Sequence, residues 1–359
     1  MLKISTLKKY QWVWQAFYEA WHQPFGRKLK HLWYRLQWEL RPALKWARKV
    51  PLAVDIELAA VCNFRCTFCQ QSTGWYEEWH KAGKVKPYMD WETVKRIVDE
   101  CARIGVYSMK LNWRGEPMLC PHFVDAILYM KQHGIHEVQC NTNASKLTED
   151  ITDRIIAAGI DRVIFSCDGI SKETYNTLRR GGDFDIFMRN VRMFRERCNA
   201  WRDLGKRVPI VRINVAIQEA NKHEADLFPS FFNGIADELR VNTVYNPQMR
   251  NKLLGSEHRI TKRKGCPQIY QRMIVSAEGD AVPCCADYLK QINLGNVHEK
   301  SLAQMYNGKQ ASIRTAHERN LGRTIPGCRN CDLFSLSSLD DSGNVVWTDV
   351  DNGVKQSGC

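Results

Sequence analysis

Three cysteines fall within eight residues, Cys62-Asn63-Phe64-Arg65-Cys66-Thr67-Phe68-Cys69, with three and then two residues between them. One short loop can aim three thiolates at one metal centre. Iron–sulfur clusters are held by thiolates, usually four of them, so a three-thiolate loop leaves one iron open to another ligand. Zinc also takes thiolates but needs a fourth ligand. The nearest downstream histidine, His80, lies across a stretch rich in Trp and Glu. Spacing alone does not choose the metal. A second set follows at Cys266, Cys284, Cys285, Cys328 and Cys331. Gly279-Asp280 reads as a turn between strands at 273–277 and 281–282, so a hairpin would carry Cys284 back toward Cys266. Cys328-x-x-Cys331 could then complete a four-thiolate site, for an iron–sulfur cluster or for zinc. Cys285 would face away from its neighbour, because successive strand residues point to opposite sides.

Strands alternating with helices must position these groups. Residues 52–58 read as a strand leading into the first Cys loop. Asp90 is an N-cap candidate for a helix carrying Val94, Ile97, Val98, Cys101 and Ile104. Strands are expected at 107–112, 136–141, 161–166, 210–216 and 239–244, and helices at 123–133, 148–158 and around Phe184–Phe194. Six such strands argue for a parallel β/α architecture, whose ligand groups gather at the C-terminal strand ends. Several strands alternate polar and apolar residues: Lys110 and Asn112, Arg212 and Asn214, and Arg240 and Asn242 share one side. The outer face must be apolar beneath the helices, so the polar face points inward and suits a polar, anionic ligand. The alternative is that these cations pair with one another or with Glu57 inside the lumen.

Bulk properties bound the rest. A chain of 359 residues, 44% apolar and 25% charged, reads as globular. Fourteen Cys without a signal-peptide cleavage site indicate a reducing, cytoplasmic setting, and no apolar run is long enough to span a membrane. Residues 1–50 carry eleven Lys or Arg against Glu19 and Glu39, nine of the thirteen net positive charges. The remainder is nearly neutral, which argues against a nucleic-acid groove. Residues 1–50 also hold six of the twelve Trp: Trp12, Trp14, Trp21, Trp33, Trp38 and Trp46. Leu29, Leu32, Trp33, Leu36 and Leu40 recur at helical spacing, and Pro42 suggests a break. Two or three short amphipathic helices are expected. They would either cover the open side of the core or lie on an anionic membrane surface.

The first Cys loop, with the aromatic Phe68 before its last Cys, resembles the cluster-binding loop of radical S-adenosylmethionine (SAM) enzymes. Arg114-Gly115-Glu116-Pro117, Asn141-Thr142-Asn143 and Ser166-Cys167-Asp168-Gly169 look like that family's Gly-Gly-Glu-Pro, Thr-Asn-Gly and Ser-Leu-Asp-Gly motifs, departing at Arg114 and Ala144. The resemblance implies an α/β fold, a partial (β/α)6 barrel, and a [4Fe–4S] cluster on Cys62, Cys66 and Cys69 whose open iron binds SAM. It places Phe68, Gly115, Glu116, Pro117, Asn143, Ser166, Asp168 and Arg179 around SAM. Gly115 and Glu116 would meet its amino group, Asn143 and Ser166 its ribose side, and Arg179 its carboxylate. Flavodoxin or ferredoxin would supply the electron. Residues 266–331 resemble the SPASM domain in its short "twitch" form, through Pro283-Cys284-Cys285-Ala286-Asp287, Leu294-Gly295-Asn296-Val297 and Ser301-Leu302. That implies one auxiliary [4Fe–4S] cluster on Cys266, Cys284, Cys328 and Cys331. The expected domains are a helical extension (1–50), the radical SAM core (51–250), a β-hairpin/helix iron–sulfur domain (251–335) and a loosely ordered polar tail (336–359).

The expected reaction is hydrogen abstraction by a 5′-deoxyadenosyl radical from a polar, sugar-like or nucleotide-linked small molecule, with net oxidation through the auxiliary cluster. The short second domain resembles that of aminocyclitol dehydrogenases. The alternatives are a maturase acting on a peptide, a radical epimerase, and a non-catalytic iron–sulfur scaffold held at a membrane complex by residues 1–50. Asp287 is a candidate proton acceptor or a plain surface carboxylate. Cys167 is a candidate hydrogen donor, although alternation with Ser166 and Asp168 turns it outward.

Overall fold

The computed structural model describes residues 3–4, 11–21, 25–243, 266–329 and 331, together with the backbone of 337–339, 345–348 and 355–357. The chain begins with a short strand β1 (Lys3–Ile4) and two helices, α1 (Gln11–Trp21) and α2 (Lys28–Ala43). Six strands then alternate with helices: β2 (Ala53–Ile56), β3 (Ser108–Lys110), β4 (Glu137–Thr142), β5 (Arg162–Ser166), β6 (Ile210–Ile217) and β7 (Glu238–Thr243). Between them run α3 (Gly74–Lys81), α4 (Trp91–Ile104), α5 (Phe123–Gln132), α6 (Glu149–Ala157), α7 (Lys172–Leu178), α8 (Phe184–Asp203) and α9 (Phe228–Phe231). A hairpin unit follows: α10 (Gln268–Gln271), β8 (Arg272–Val275), β9 (Asp280–Val282), β10 (Gly295–Asn296), α11 (Leu302–Asn307) and α12 (Lys309–Glu318).

Local chemistry explains the helices. Asp90 accepts the Thr93 amide at 2.8 Å to start α4, and Gly105 ends it in the left-handed region, φ 76°. Thr93, Val94, Ile97, Val98 and Cys101 form its buried stripe. Thr148, Ser171 and Asp183 cap α6, α7 and α8 in the same way. α3, α7, α9, α10, α11 and α12 have no counterpart in the sequence reading. α3 and α7 are short, and their apolar periodicity spans barely two turns.

The six strands pair in sequence order and in parallel, forming an open barrel rather than a closed one, because β2 and β7 do not meet. The edges are extended instead. β1 joins β7 in parallel, so the extension at 1–50 contributes a strand as well as helices. On the other side β8 joins β2 in parallel, and β9 and β10 continue antiparallel into one ten-stranded sheet. The expected hairpin is present, with Ile274 opposite Val282, and the second Cys set is a continuation of the barrel sheet. The tail departs from its reading as a loosely ordered segment. β11 (Ser337–Leu339), β12 (Val345–Thr348) and β13 (Lys355–Ser357) form a separate antiparallel sheet, and the Val-Val-Trp-Thr run of β12 supplies strand-forming residue types.

The polar inner face is stratified. Arg212 sits opposite Glu238 at the strand bases, and Asn214 and Arg240 form the next inward rung. Arg212 was expected at the ligand. It instead donates to Glu238 at 2.6 Å and lies 3.5 Å from Glu19 of α1. Arg162 joins the same cluster, 2.8 Å from Glu238 and 3.0 Å from Glu19. From α2, His31 approaches Glu19 at 3.1 Å and Arg35 at 3.4 Å. The other ring nitrogen of His31 meets the Tyr107 hydroxyl at 3.1 Å, and Tyr34 stacks on Tyr107 at 4.2 Å. So α1 and α2 close the barrel base with a buried ionic cluster. Burial by itself would raise the Glu19 carboxyl, but Arg162, Arg35 and His31 hold it well below the ordinary glutamate value.

Glu19→Ala should therefore destabilise the fold by about 3–5 kcal/mol, because it strands buried cations; denaturant unfolding measures this. A carboxyl depressed in the folded state contributes stability above its unfolded pKa and loses it on acidification. The gap between parent and variant should accordingly narrow as pH falls below 4.5.

Candidate functional site

Above the ionic base the barrel opens into a cavity of about 530 Å3 at the C-terminal strand ends. Its walls come from the first Cys loop, from the strand ends and loops of β3 to β5, from β6 and β7 themselves, and from the hairpin unit. Cys62, Cys66 and Cys69 all face it, as do Phe68, Gly115, Glu116, Asn143, Ser166, Asp168 and Arg179. Pro117 does not line it. Pro117 is buried at the start of a short 3-10 turn, and its role is to shape the loop that aims Glu116.

The Cys loop is held by backbone contacts. The amides of Arg65 and Thr67 donate to the carbonyls of Arg180 and Leu178 at 2.7 and 2.9 Å. The two chains approach so closely that a Cβ on Gly182 would stand 2.7 Å from the Phe64 ring. Gly115 is equally constrained: φ is 71°, and a Cβ would fall 2.2 Å from the Ala59 carbonyl oxygen. Its amide donates to Gln71 Oε1 at 2.7 Å. Burial pushes the Cys62 thiol up to about 11 and Cys66 up to about 12, and raises Cys69 as well. Thiols so disfavoured as free thiolates become thiolates when a metal supplies the compensating charge.

Glu116 receives the Asn143 amide at 2.7 Å, the Thr142 hydroxyl at 2.8 Å and the Met118 amide at 3.1 Å. Burial nevertheless outweighs these donors and lifts its carboxyl to about 7. A cationic group such as an ammonium beside it would restore the carboxylate. Asn143 Nδ2 reaches Asn63 Oδ1 at 3.0 Å, tying the third strand-end loop to the Cys loop. Arg179 gives Nε and Nη2 to Asp168 at 2.7 and 2.6 Å, and its guanidinium lies 5.6 Å from the Phe68 ring centre. Asp168 thus orients Arg179. These features fit a three-thiolate cluster with SAM on its open iron.

Deeper in the cavity stand Lys110, Asn112, Asn141, Asn214, Arg240 and Asn242. Asn112 Oδ1 accepts the Asn141 amide at 2.8 Å. The Asn141 and Asn214 side-chain oxygens are buried without a hydrogen-bond partner. Lys110 has no ion pair among the described residues, since its strand neighbour Asp55 is engaged by Arg272 at 2.7 Å. Burial lowers the Lys110 ammonium below its ordinary range.

In the hairpin unit Cys266, Cys284, Cys328 and Cys331 converge. Burial raises the Cys266 thiol, opposed by the Ile269 amide and reinforced by Cys328 and Cys331, and it raises Cys284 together with Cys266, Cys285 and Cys331. Four thiols and no oxygen or nitrogen donor suit an iron–sulfur cluster with no open iron. Among the described residues no ligand-type side chains close to the spacing of a single ion. Cys285 points the other way, into the cavity, 3.4 Å from Gln268 Oε1.

Two sequence expectations are corrected. Asp287 is fully buried, its carboxylate accepting the amides of Gln291 and Ile292 at 2.9 and 2.7 Å. It fixes the loop beyond Cys284 and does not line the cavity. Cys167 is also fully buried, its Sγ on the Gly169 carbonyl at 3.1 Å, so it cannot donate hydrogen to a ligand there. The sequence reading missed Trp113, Arg272, Gln268 and Tyr288, because the hairpin that brings the last three to the cavity is far away in the chain.

Arg114, the departure from the family motif, has a clear use. Nε and Nη2 grip Glu57 at 2.6 and 2.8 Å, and both side chains are fully buried. Nη1 donates to the Tyr288 carbonyl at 3.1 Å, and Glu57 also takes the Ala277 amide at 3.1 Å. Trp113 Nε1 adds a bond to the Cys285 carbonyl at 2.9 Å. Arg114→Ala should cost about 3–5 kcal/mol by stranding Glu57, and hydrogen exchange should rise first in residues 276–290. Unchanged protection there would remove this role.

Comparison with known proteins agrees with the geometry. The radical SAM superfamily pattern matches residues 56–221, and the SPASM iron–sulfur cluster-binding domain matches residues 266–332. A GTP 3′,8-cyclase of Hydrogenovibrio crunogenus is 28% identical over 133 residues, 36% of this chain and 38% of that protein. Mycofactocin maturase MftC of Mycobacterium tuberculosis is 26% identical over 192 residues, 53% of this chain and 44% of that protein. A probable GTP 3′,8-cyclase of Saccharolobus solfataricus is 26% identical over 209 residues, 56% and 60% of the two chains. The chain thus spans between about two-fifths and three-fifths of the length of these relatives. Among solved structures, Streptococcus suis SuiB bound to precursor peptide SuiA superposes with TM-score 0.60 at 15% identity, covering 81% of this chain and 73% of SuiB. BtrN in complex with AdoMet and 2-DOIA gives 0.52 at 16%, covering 82% and 98%. Both likenesses are of fold. The two matches imply a SAM-binding [4Fe–4S] cluster and an auxiliary iron–sulfur cluster, and the chain carries a radical SAM domain followed by a SPASM iron–sulfur domain.

Proposed function

We propose that this protein abstracts hydrogen from a polar, anionic, hydroxyl-bearing small molecule, sugar-like or nucleotide-linked, and oxidises it by two electrons. The observation that carries this reading is the cavity lined by Cys62, Cys66, Cys69 and Cys285. There, among the described residues, Lys110 has no ion pair and the Asn141 and Asn214 carbonyl oxygens have no donor. An unpaired ammonium suits an anionic group, and unpartnered amide oxygens suit hydroxyl donors.

When bound, the clusters and SAM supply a 5′-deoxyadenosyl radical and an electron acceptor. Cys62, Cys66 and Cys69 would hold the first cluster, and Glu116 and Arg179 would orient the amino and carboxylate ends of SAM, with Asn143 and Ser166 beside the ribose. Cys266, Cys284, Cys328 and Cys331 would hold the second cluster. Lys110 and Arg240 would anchor the anionic end of the substrate, and Asn112, Asn141, Asn214 and Asn242 its hydroxyls. A small one-electron donor, flavodoxin or ferredoxin, would be the redox partner. Relatives named as GTP 3′,8-cyclases are in keeping with a nucleotide-like substrate.

Two further readings have support. A relative is named a mycofactocin maturase, and SuiB was solved with a precursor peptide, which favours a peptide substrate. Cys285 faces the cavity, which favours a radical epimerase, since a thiol there could return a hydrogen atom.

Anaerobically reconstituted protein should carry about eight irons, and about four after joint replacement of Cys62, Cys66 and Cys69 by Ala. Four irons plus one zinc in the parent would remove the auxiliary cluster. Incubation with SAM, a reductant and candidate polyols or sugar phosphates should give a product lighter by two hydrogens, with substrate deuterium recovered in 5′-deoxyadenosine. A product of unchanged mass that gains solvent deuterium at carbon, and is lost in Cys285→Ala, would establish epimerisation instead. Lys110→Met should raise the substrate KM about tenfold or more, the worth of one charge-assisted contact, with iron content and SAM affinity unchanged.

A further inference from the structure

The apolar stripe of α2 faces the wrong way for a core helix. Leu29, Leu32, Trp33, Leu36 and Leu40 follow the spacing that ordinarily packs inward. The residues buried against the barrel base are instead His31, Tyr34, Gln37 and Arg41. Leu29 is 81% exposed and Trp33 50%, while Leu32, Leu36 and Leu40 are half-buried. α1 adds Phe17 and Trp21, one turn apart, at 56% and 76% exposure. Lys28 Nζ lies 4.4 Å over the Trp21 ring, so the end of α1 and the start of α2 share one surface. Cations rim this surface: Lys28 and Lys30 at one end, and exposed Lys45, Arg48 and Lys49 at the other, beside the exposed Leu44 and Trp46. Of the two acids in residues 1–50, Glu19 is buried in the basal cluster and Glu39 is half-buried.

This combination decides between occupants. A second copy of the chain across a two-fold axis would set the same basic rim against itself. An anionic lipid surface complements the rim and takes aromatic rings at headgroup level. No described helix is long and apolar enough to cross a membrane, so the helices would lie on the surface. We propose that the outer face of α1 and α2 docks this protein on an anionic phospholipid bilayer, with Phe17, Trp21, Leu29 and Trp33 entering the headgroup boundary. Because the inner face of the same helices closes the strand bases, the docked protein presents its cavity away from the lipid.

The full reconstituted chain is sedimented with vesicles of phosphatidylcholine alone and of phosphatidylcholine mixed with phosphatidylglycerol. Binding is expected only to the mixed vesicles, and it weakens as salt rises. The Leu29→Glu/Trp33→Glu and Lys28→Glu/Lys30→Glu variants should each lose about tenfold or more of that binding. Their iron content, unfolding midpoint and light-scattering mass should match the parent. Indifference of the parent to the mixed vesicles, equal binding to uncharged ones, or variants that bind like the parent would each overturn the proposal. So would a parent dimer that Leu29→Glu/Trp33→Glu dissolves without any vesicle binding, which would assign the face to a second copy.

Discussion

The ion pair between Glu57 and Arg114 joins the two halves of the site. Neither side chain is exposed at all, and a carboxylate or guanidinium so placed is tolerable only with a well-aligned partner. The pair then spends its remaining bonds on the hairpin unit, at the Ala277 amide and the Tyr288 carbonyl. β8 adds to β2 in parallel just beneath it. The hairpin unit is thereby fixed against the barrel, and it brings Gln268, Arg272, Cys285 and Tyr288 to the cavity that Cys62, Cys66 and Cys69 also line.

A second buried ionic cluster does the opposite work at the other end of the barrel. Glu19, Arg162, Arg212 and Glu238 fill the strand bases and exclude ligand from them. Farther along the strands Asn214 and Asn242 line the cavity, as does Lys110 of β3, which has no ion pair among the described residues. One inward-facing polar pattern therefore serves two purposes, depending on height along the strand. Charges near the base meet the N-terminal helices and are neutralised there, and those above line the cavity.

The cavity is also where burial works against ionisation. Cys62, Cys66 and Glu116 are all pushed toward their neutral forms. The charged form of each would be favoured by a cation beside it, as iron would be for the thiols and an ammonium for the carboxyl. The polypeptide holds these groups in place through backbone contacts, the Gly115 and Gly182 approaches among them, rather than by making them reactive in advance.

Much of this was legible in the chain. Cysteine spacing is local, so both thiolate sets could be read without a fold, and period-two and period-3.6 patterns placed six strands and most of their helices. The Gly-rich strand-end motifs were legible for the same reason: what they require is a backbone path a few residues long. The tertiary structure decided which of several inward cations is neutralised at the strand bases and which lines the cavity. Arg212 and Lys110 look alike in sequence; Arg212 is set apart by its cross-strand partner Glu238 at 2.6 Å and by Glu19, nearly two hundred residues away in the chain, at 3.5 Å. It buried Asp287 and turned Cys285 toward the cavity, because loop closure, not residue type, sets which side of a turn faces solvent, whereas Cys167 lies on the side that alternation had given it. It also showed that the Leu and Trp stripe of α2 is the outer face. Periodicity reveals that a helix has an apolar side, but which side packs depends on the surface it meets, and here that surface is the charged base of the barrel.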